Sequence, residues 1–279
     1  MKRIVILVFL VILAGIAGVV ARSSSRVSEI RELVSHDSQE KTGDVRDEIN
    51  QSHELSPGAR VELIGLNGAV KIETSDTNKA EIKIERSASS QEALDRRKVT
   101  IEASAGSLRI KGEKSDDGFF SRFFGSSATE RVTLKLPRQI SLFAKGVNGA
   151  VTSGEIEGPV EVSGVNGKVK IAGAMGRAQL KGINGSVVVG LKKLDTDGVT
   201  LSGINGNIEL QLGTDVNADF DARGMNGRVT SDLPNVAIDK DEKRGSYTAR
   251  IGSGGSGITA KGINGNIRFT RGTQTASAE

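Results

Sequence analysis

Side chains able to carry acid–base, nucleophilic or metal chemistry are sparse in this 279-residue chain. Its two histidines are His36 and His53, and it has no cysteine. From residue 55 onward there is neither, which excludes histidine-based triads and histidine-ligated zinc there. Paired carboxylates are the remaining route, since glycoside cleavage sets two carboxyl groups about one bond. Glu155, Glu157 and Glu161 form one group in sequence, and Asp215, Asp219 and Asp221 another. Both groups alternate with apolar residues, the pattern of solvent-facing strand positions. Asp195-Thr196-Asp197-Gly198 resembles a fragment of a calcium loop. Calcium takes about six to eight oxygens, and no Glu follows at the required distance, so an ordinary turn is expected. Gly254 to Thr259 departs from the calcium-binding nonapeptide at Thr259, where that motif needs Asp. No catalytic residue, metal or cofactor is assigned, and the chain reads as a non-enzyme. A carbohydrate-active β-helix enzyme is the weakest of the functional alternatives.

The residues that do recur are structural in type. Gly, an apolar residue, Asn and Gly appear in that order around Asn67, Asn148, Asn166, Asn184, Asn205, Asn226 and Asn264. The Asn positions are 81, 18, 18, 21, 21 and 38 residues apart. The last interval is close to twice, and the first close to four times, a period near twenty, which predicts a solenoid with some degenerate copies. Asn and Gly tolerate positive φ, so the tetrapeptide makes a tight corner at low steric cost. An inward Asn repeated in every coil can hydrogen-bond its counterparts above and below as an amide ladder. A row of sugar- or metal-binding amides is the functional alternative, and no aromatic lies at the repeat positions to stack on a sugar ring.

These corners need strands to hold them. Val160-Glu161-Val162 and Val199-Thr200-Leu201 precede corners, and Val169-Lys170-Ile171 and Ile208-Glu209-Leu210 follow them. Alternation with a period of two means strands with one buried face. Such a unit covers its apolar face only by stacking on its neighbours. The expected fold is all-β, a single-stranded β-solenoid (β-helix), right-handed by preference. Regular repeats span 141–272. Residues 55–140 hold longer strands and irregular loops, read as an N-terminal β section that caps one open end, because unpaired edges need covering. Residues 273–279 form a polar tail.

Within that section, Phe119, Phe120, Phe123 and Phe124 carry half of the eight phenylalanines and flank Arg122. Their spacing gives one apolar face of a short helix. Two readings stand: a cap packed on the solenoid, or an exposed patch for a partner or membrane. Arg96-Arg97-Lys98 reads as a solvated loop.

Composition bounds the remainder. Aromatics make up 3% of the chain and glycines number 35, which suits narrow layers better than a bulky globular core. The net charge is +4, with both signs interspersed and no basic stripe along the sequence, so nucleic-acid binding is not expected. Lys2 and Arg3 precede an uninterrupted apolar run from Ile4 to Ala21. Residues 1–21 are thus a signal peptide or an N-terminal membrane anchor, and either sends the rest of the chain across a membrane. Residues 22–54 are polar and read as a spacer.

The repeated Gly-Ile-Asn and the Gly-x-Asn-Gly-x-Val/Ile rhythm, with Leu-Ser-Pro-Gly-Ala-Arg-Val-Glu-Leu at 55–63 and Val-Thr-Leu-Lys-Leu-Pro at 132–137, resemble the bacterial putative-adhesin family of β-strand repeats. That family is a domain of unknown function, related to the auto-transporter adhesin "head GIN" domain. The resemblance covers about 55–270 and brings no catalytic residues. It implies an extracytoplasmic adhesin or cell-envelope scaffold, periplasmic or at the cell surface. The regulatory alternative is a membrane-anchored component in envelope stress. The envelope partner is unnamed by the sequence, and self-association through the solenoid ends is a further expectation.

Overall fold

The computed structural model describes residues 45–114, 128–234, 236–241 and 245–272. The N-terminal part contains β1 (Val45–Glu54), β2 (Ala59–Ile64), β3 (Val70–Ser75), β4 (Lys79–Ala88) and a one-turn helix α1 (Gln91–Asp95). It continues with β5 (Arg97–Ser104), β6 (Ser107–Lys114), β7 (Thr129–Pro137) and β8 (Ile140–Lys145). The regular part follows with β9 (Val151–Ile156), β10 (Val160–Asn166), β11 (Val169–Met175), β12 (Ala178–Asn184), β13 (Val187–Lys193), β14 (Val199–Asn205) and β15 (Ile208–Leu212). The last strands are β16 (Ala218–Arg223), β17 (Val229–Ser231), β18 (Ala237–Asp241), β19 (Ser246–Ile251), β20 (Ser256–Asn264) and β21 (Ile267–Arg271).

The fold is all-β, with two large mixed sheets. The first runs β1-β4-β7-β3-β9-β11-β13-β15-β21-β17, and the second β18-β19-β16-β20-β14-β12-β10-β8-β2-β6-β5. From β7 to β17, consecutive strands alternate between the two sheets. Neighbours within the regular part pair in parallel and in register, as in Val160↔Ala178↔Val199↔Ile258. Alternation decides which side chains go inward. Val160 and Val162 are buried while Glu161 and Ser163 are half-buried on the other face. Valines and isoleucines from both sheets join one continuous core. Aromatic mass enters it mainly near the C-terminal end, where Phe220 and Phe269 meet edge to face at 5.0 Å.

The order of layers departs from the order of the chain. Strand β20 lies between β14 and β16, and β21 between β15 and β17. The 38-residue interval before Asn264 is therefore no missing copy. The chain passes through β16 and β17, makes the antiparallel β18–β19 pair, and returns to insert a layer that it had skipped. The 81-residue interval after Asn67 is also no run of degenerate copies, since β2 pairs directly with β8, and β3 with β9. Residues between them add one further parallel layer, β6 on β2 and β7 on β3, with β4 and β5 antiparallel on its outer side. Polar residues 45–54, grouped by composition with the spacer, form β1, which pairs along its length with β4.

No helix among the described residues is long and apolar enough to cross a membrane. The apolar run 4–21 lies outside the described residues.

Candidate functional site

All seven Gly-x-Asn-Gly tetrapeptides join a strand of the second sheet to a strand of the first. At Gly182 the chain turns through φ +63°, a left-handed conformation that side-chain-bearing residues reach at a cost of about 1–2 kcal/mol. The next residue points into the core, as Val165, Ile183, Ile204 and Ile263 do. The Asn that follows turns outward: Asn148, Asn166, Asn184, Asn205, Asn226 and Asn264 are exposed and Asn67 is half-buried. The expectation of an inward Asn is corrected accordingly. Apolar side chains fill the space between the sheets, and a neutral amide loses less by facing water.

The amides are nevertheless hydrogen-bonded from layer to layer. Asn226 Nδ2 donates to Asn264 Oδ1 at 3.0 Å, and Asn264 to Asn205 at 3.0 Å. Asn205 donates to Asn184 at 3.3 Å and Asn184 to Asn166 at 3.2 Å. Asn166 donates to Asn148 at 3.1 Å and Asn148 to Asn67 at 2.8 Å. Every bond runs in the same direction. Each interior amide uses one N–H and one acceptor site here, and keeps one of each for other partners.

The row ends on a group that sequence reasoning missed. The layer beyond Asn67, β6 and β7, carries no Gly-x-Asn-Gly sequence, so the backbone N–H of Asn67 has no matching corner to donate to. It donates instead to Glu130 Oε2 at 2.8 Å, while its side chain donates to the Ala128 carbonyl at 2.8 Å. Glu130 has a side chain with 0% exposure and is held by Arg97, whose Nε donates to Glu130 Oε1 at 2.5 Å. Arg97 Nη2 also donates to the carbonyl of Gly65 at 2.5 Å. A buried ion pair thereby supplies an acceptor and a donor to the terminal corner. Arg97 is the middle of the basic triplet read from sequence as a solvated loop; it opens β5 and turns inward. Arg86 supports it by donating to the Arg97 carbonyl at 2.7 Å while it pairs with Asp47. A cleft of 670 Å³ opens beside Glu130, lined by Arg46, Asp47, Gly68, Arg86 and Arg131 among others.

The carboxylate groups singled out in sequence do not converge. Glu155 lies on β9 in the first sheet and pairs with Lys192, while Glu161 lies on β10 in the second. Asp221 is held by Arg223 at 2.9 Å, and Asp219 faces Arg250 at 3.5 Å. Among the described residues, no group of three or more His, Asp or Glu side chains could hold a metal ion. Asp195 Oδ1 accepts from the backbone N–H groups of Asp197 and Gly198 at 3.0 and 3.1 Å, which makes that segment a turn. The Glu62 carboxylate is held below the usual carboxylate range by hydrogen bonds from Arg60 and Arg109. Arg60 also lies over the Phe143 ring at 3.6 Å, a cation–π contact. The Phe119, Phe120, Arg122, Phe123 and Phe124 patch lies outside the described residues.

No protein-family model matches the chain, and no curated protein matches it. Among solved structures, a putative cell adhesion protein from Clostridium sporogenes is 10% identical, with a TM-score of 0.34, over 81% of this chain and 100% of that one. A putative adhesin from Bacteroides fragilis is 10% identical with a TM-score of 0.33, over 80% and 97%. A putative lipid binding protein from Parabacteroides distasonis is 10% identical with a TM-score of 0.25, over 81% and 95%. Likeness at these scores decides neither fold detail nor function.

Proposed function

We propose that this chain is an exported, non-enzymatic β-solenoid, right-handed by preference, that serves as an adhesin or envelope scaffold. In this reading each layer is one coil, with a strand in each sheet and the Asn corner between. Residues 141–272 are the coil stack, 55–140 cap one end, and residues 1–21 direct export or anchor the chain. The observation that carries the reading is the parallel, in-register pairing from β8 to β20. Register turns each outward position into a row of exposed side chains, an extended surface of the kind stacked-repeat proteins use for binding. Glu155 and Glu161 stand in different sheets, so that group does not set two carboxyl groups about one bond as glycoside hydrolysis requires. The Asn row is read as structural first, since its period is that of the stack. Self-association would use the edges of β17 and β18, which pair with nothing further among the described residues.

Fractionation of the native host, with the N-terminal residue determined by sequencing, tests this reading. The expected result is a chain in the envelope or extracellular fraction, beginning at Met1 if anchored or near Arg22 if released. A chain beginning at Met1 in the soluble cytoplasmic fraction would overturn it.

A further inference from the structure

Charges that are dispersed along the sequence become ordered once the strands pair. Three residues before each of the seven corner Asn, and at Lys111 on β6 beside them, the register aligns Lys111↔Ile64↔Lys145↔Ser163↔Lys181↔Ser202↔Lys261↔Arg223 across eight neighbouring strands of the second sheet. Five of these eight are cations and none is an acid. The absence of a basic stripe, read along the sequence, is thereby corrected: the stripe runs across the strands. At a strand spacing of about 4.8 Å the row is about 34 Å long, and Lys111, Lys145, Lys181 and Lys261 recur every second strand, about 9.6 Å apart. Lys111 pairs with Glu113 at 2.6 Å and Arg223 with Asp221 at 2.9 Å. Lys145, Lys181 and Lys261 are exposed and make no ion pair among the described residues.

What lies beside the row matters as much. The next residue in each corner strand is a glycine, exposed at Gly146, Gly164, Gly182, Gly203, Gly224 and Gly262. It adds no side chain between the lysines and the Asn row, whose amides each keep one donor and one acceptor. A row of cations and a row of amides thus run side by side with bare backbone between them.

We propose that this face binds a linear acidic polysaccharide, laid along the stack with its carboxylates on the lysine row and its hydroxyls on the Asn amides. The inference rests on the reading of the chain as an exported binding protein and adds the ligand class. Charge spacing selects that class. A cation about every 9.6 Å suits a polymer with one anionic group per disaccharide. Duplex DNA carries a charge about every 1.7 Å of its axis. Single-stranded nucleic acid also needs aromatic platforms, and the aromatic among these strands' outward positions, Phe143, is covered by Arg60. Each contact is exposed and weak, so binding accumulates along the polymer. Carboxylates flank the row as well: Glu62, Glu113 and Asp221 are held in ion pairs, while Glu161 stands next to Ser163 along β10, half-buried and without an ion-pair partner among the described residues.

The test measures binding of the full chain to immobilised hyaluronan, an unsulfated polymer with one carboxylate per disaccharide, at about 0.15 M ionic strength. Neutral dextran, single-stranded oligothymidylate and phosphatidylglycerol vesicles are run beside it. The expected result is binding to hyaluronan and not to dextran. Substituting Lys145→Gln, Lys181→Gln and Lys261→Gln together should weaken it by about tenfold or more with the melting temperature unchanged, and Glu161→Gln should tighten it. Equal binding by the triple variant, binding to dextran as strong as to hyaluronan, or tighter binding to vesicles or the oligonucleotide would each overturn the proposal. Failure here with the chain located in the envelope fraction sinks the ligand class alone; a cytoplasmic location sinks the broader reading.

Discussion

Glu130→Ala is expected to lower the stability of the protein by about 3–5 kcal/mol, the loss that follows when one partner of a buried ion pair is removed. Three groups depend on this side chain. Arg97 would keep its charge with a side chain only 14% exposed. The backbone N–H of Asn67 would lose its acceptor at the end of the Asn row. The Arg97 bond to Gly65 would lose the anchor that orients it. Chemical denaturation of both proteins, followed by circular dichroism at one wavelength, measures the difference. The double variant Arg97→Met with Glu130→Leu should recover much of the loss, because an apolar pair of similar volume often replaces a buried salt bridge without penalty. A loss below about 1 kcal/mol for Glu130→Ala would mean that the pair is solvated and caps nothing.

Gly206→Ala is the second large effect, at about 3 kcal/mol or more. The cause is backbone on backbone. A Cβ at Gly206 would lie under 3.0 Å from the carbonyl of Gly185 in the adjoining layer, and its φ of +155° is one that side chains rarely adopt. The obstructing atom is a main-chain oxygen in a hydrogen-bonded stack, which cannot step aside without separating two layers. Gly58→Ala is the control: its φ is +81° and nothing lies within 4 Å of the added Cβ. It should cost about 1–2 kcal/mol, the backbone strain alone. Thermal melts of the two variants separate the causes. Equal losses would show that the layers are not in close contact at the corner.

The contrast between these two sites bears on what is legible in sequence. Corners and strands are legible because their signals are local. Gly182 through Gly185 carries the turn in four residues, and Val160-Glu161-Val162 carries a strand's two faces in three. Lateral neighbours are not encoded locally. Nothing near Asn264 says that it will sit between Asn205 and Asn226, because the β18–β19 excursion that delays it is a matter of pairing. The same holds for Arg97 and Glu130. They are 33 residues apart, and each occurs in a charged stretch that resembles solvent-facing surface. A buried partner is invisible until β7 is laid beside β3. The lysine row is hidden for a related reason. Lys145, Lys181 and Lys261 are far apart in sequence, and only a register common to five strands puts them on one line.

That register is the central claim, since it makes both the amide row and the cation row. The absence of native cysteine allows two spin labels to be placed on Lys145→Cys and Lys261→Cys without background. The distance between them, measured by pulsed electron paramagnetic resonance, tests the claim most directly. Lys261 lies four strands from Lys145, so the separation should centre on about 19 Å. Layers stacked in chain order, with an unfilled repeat before Asn264, would put six spacings between the labels, about 29 Å. A distribution centred there would contradict the account.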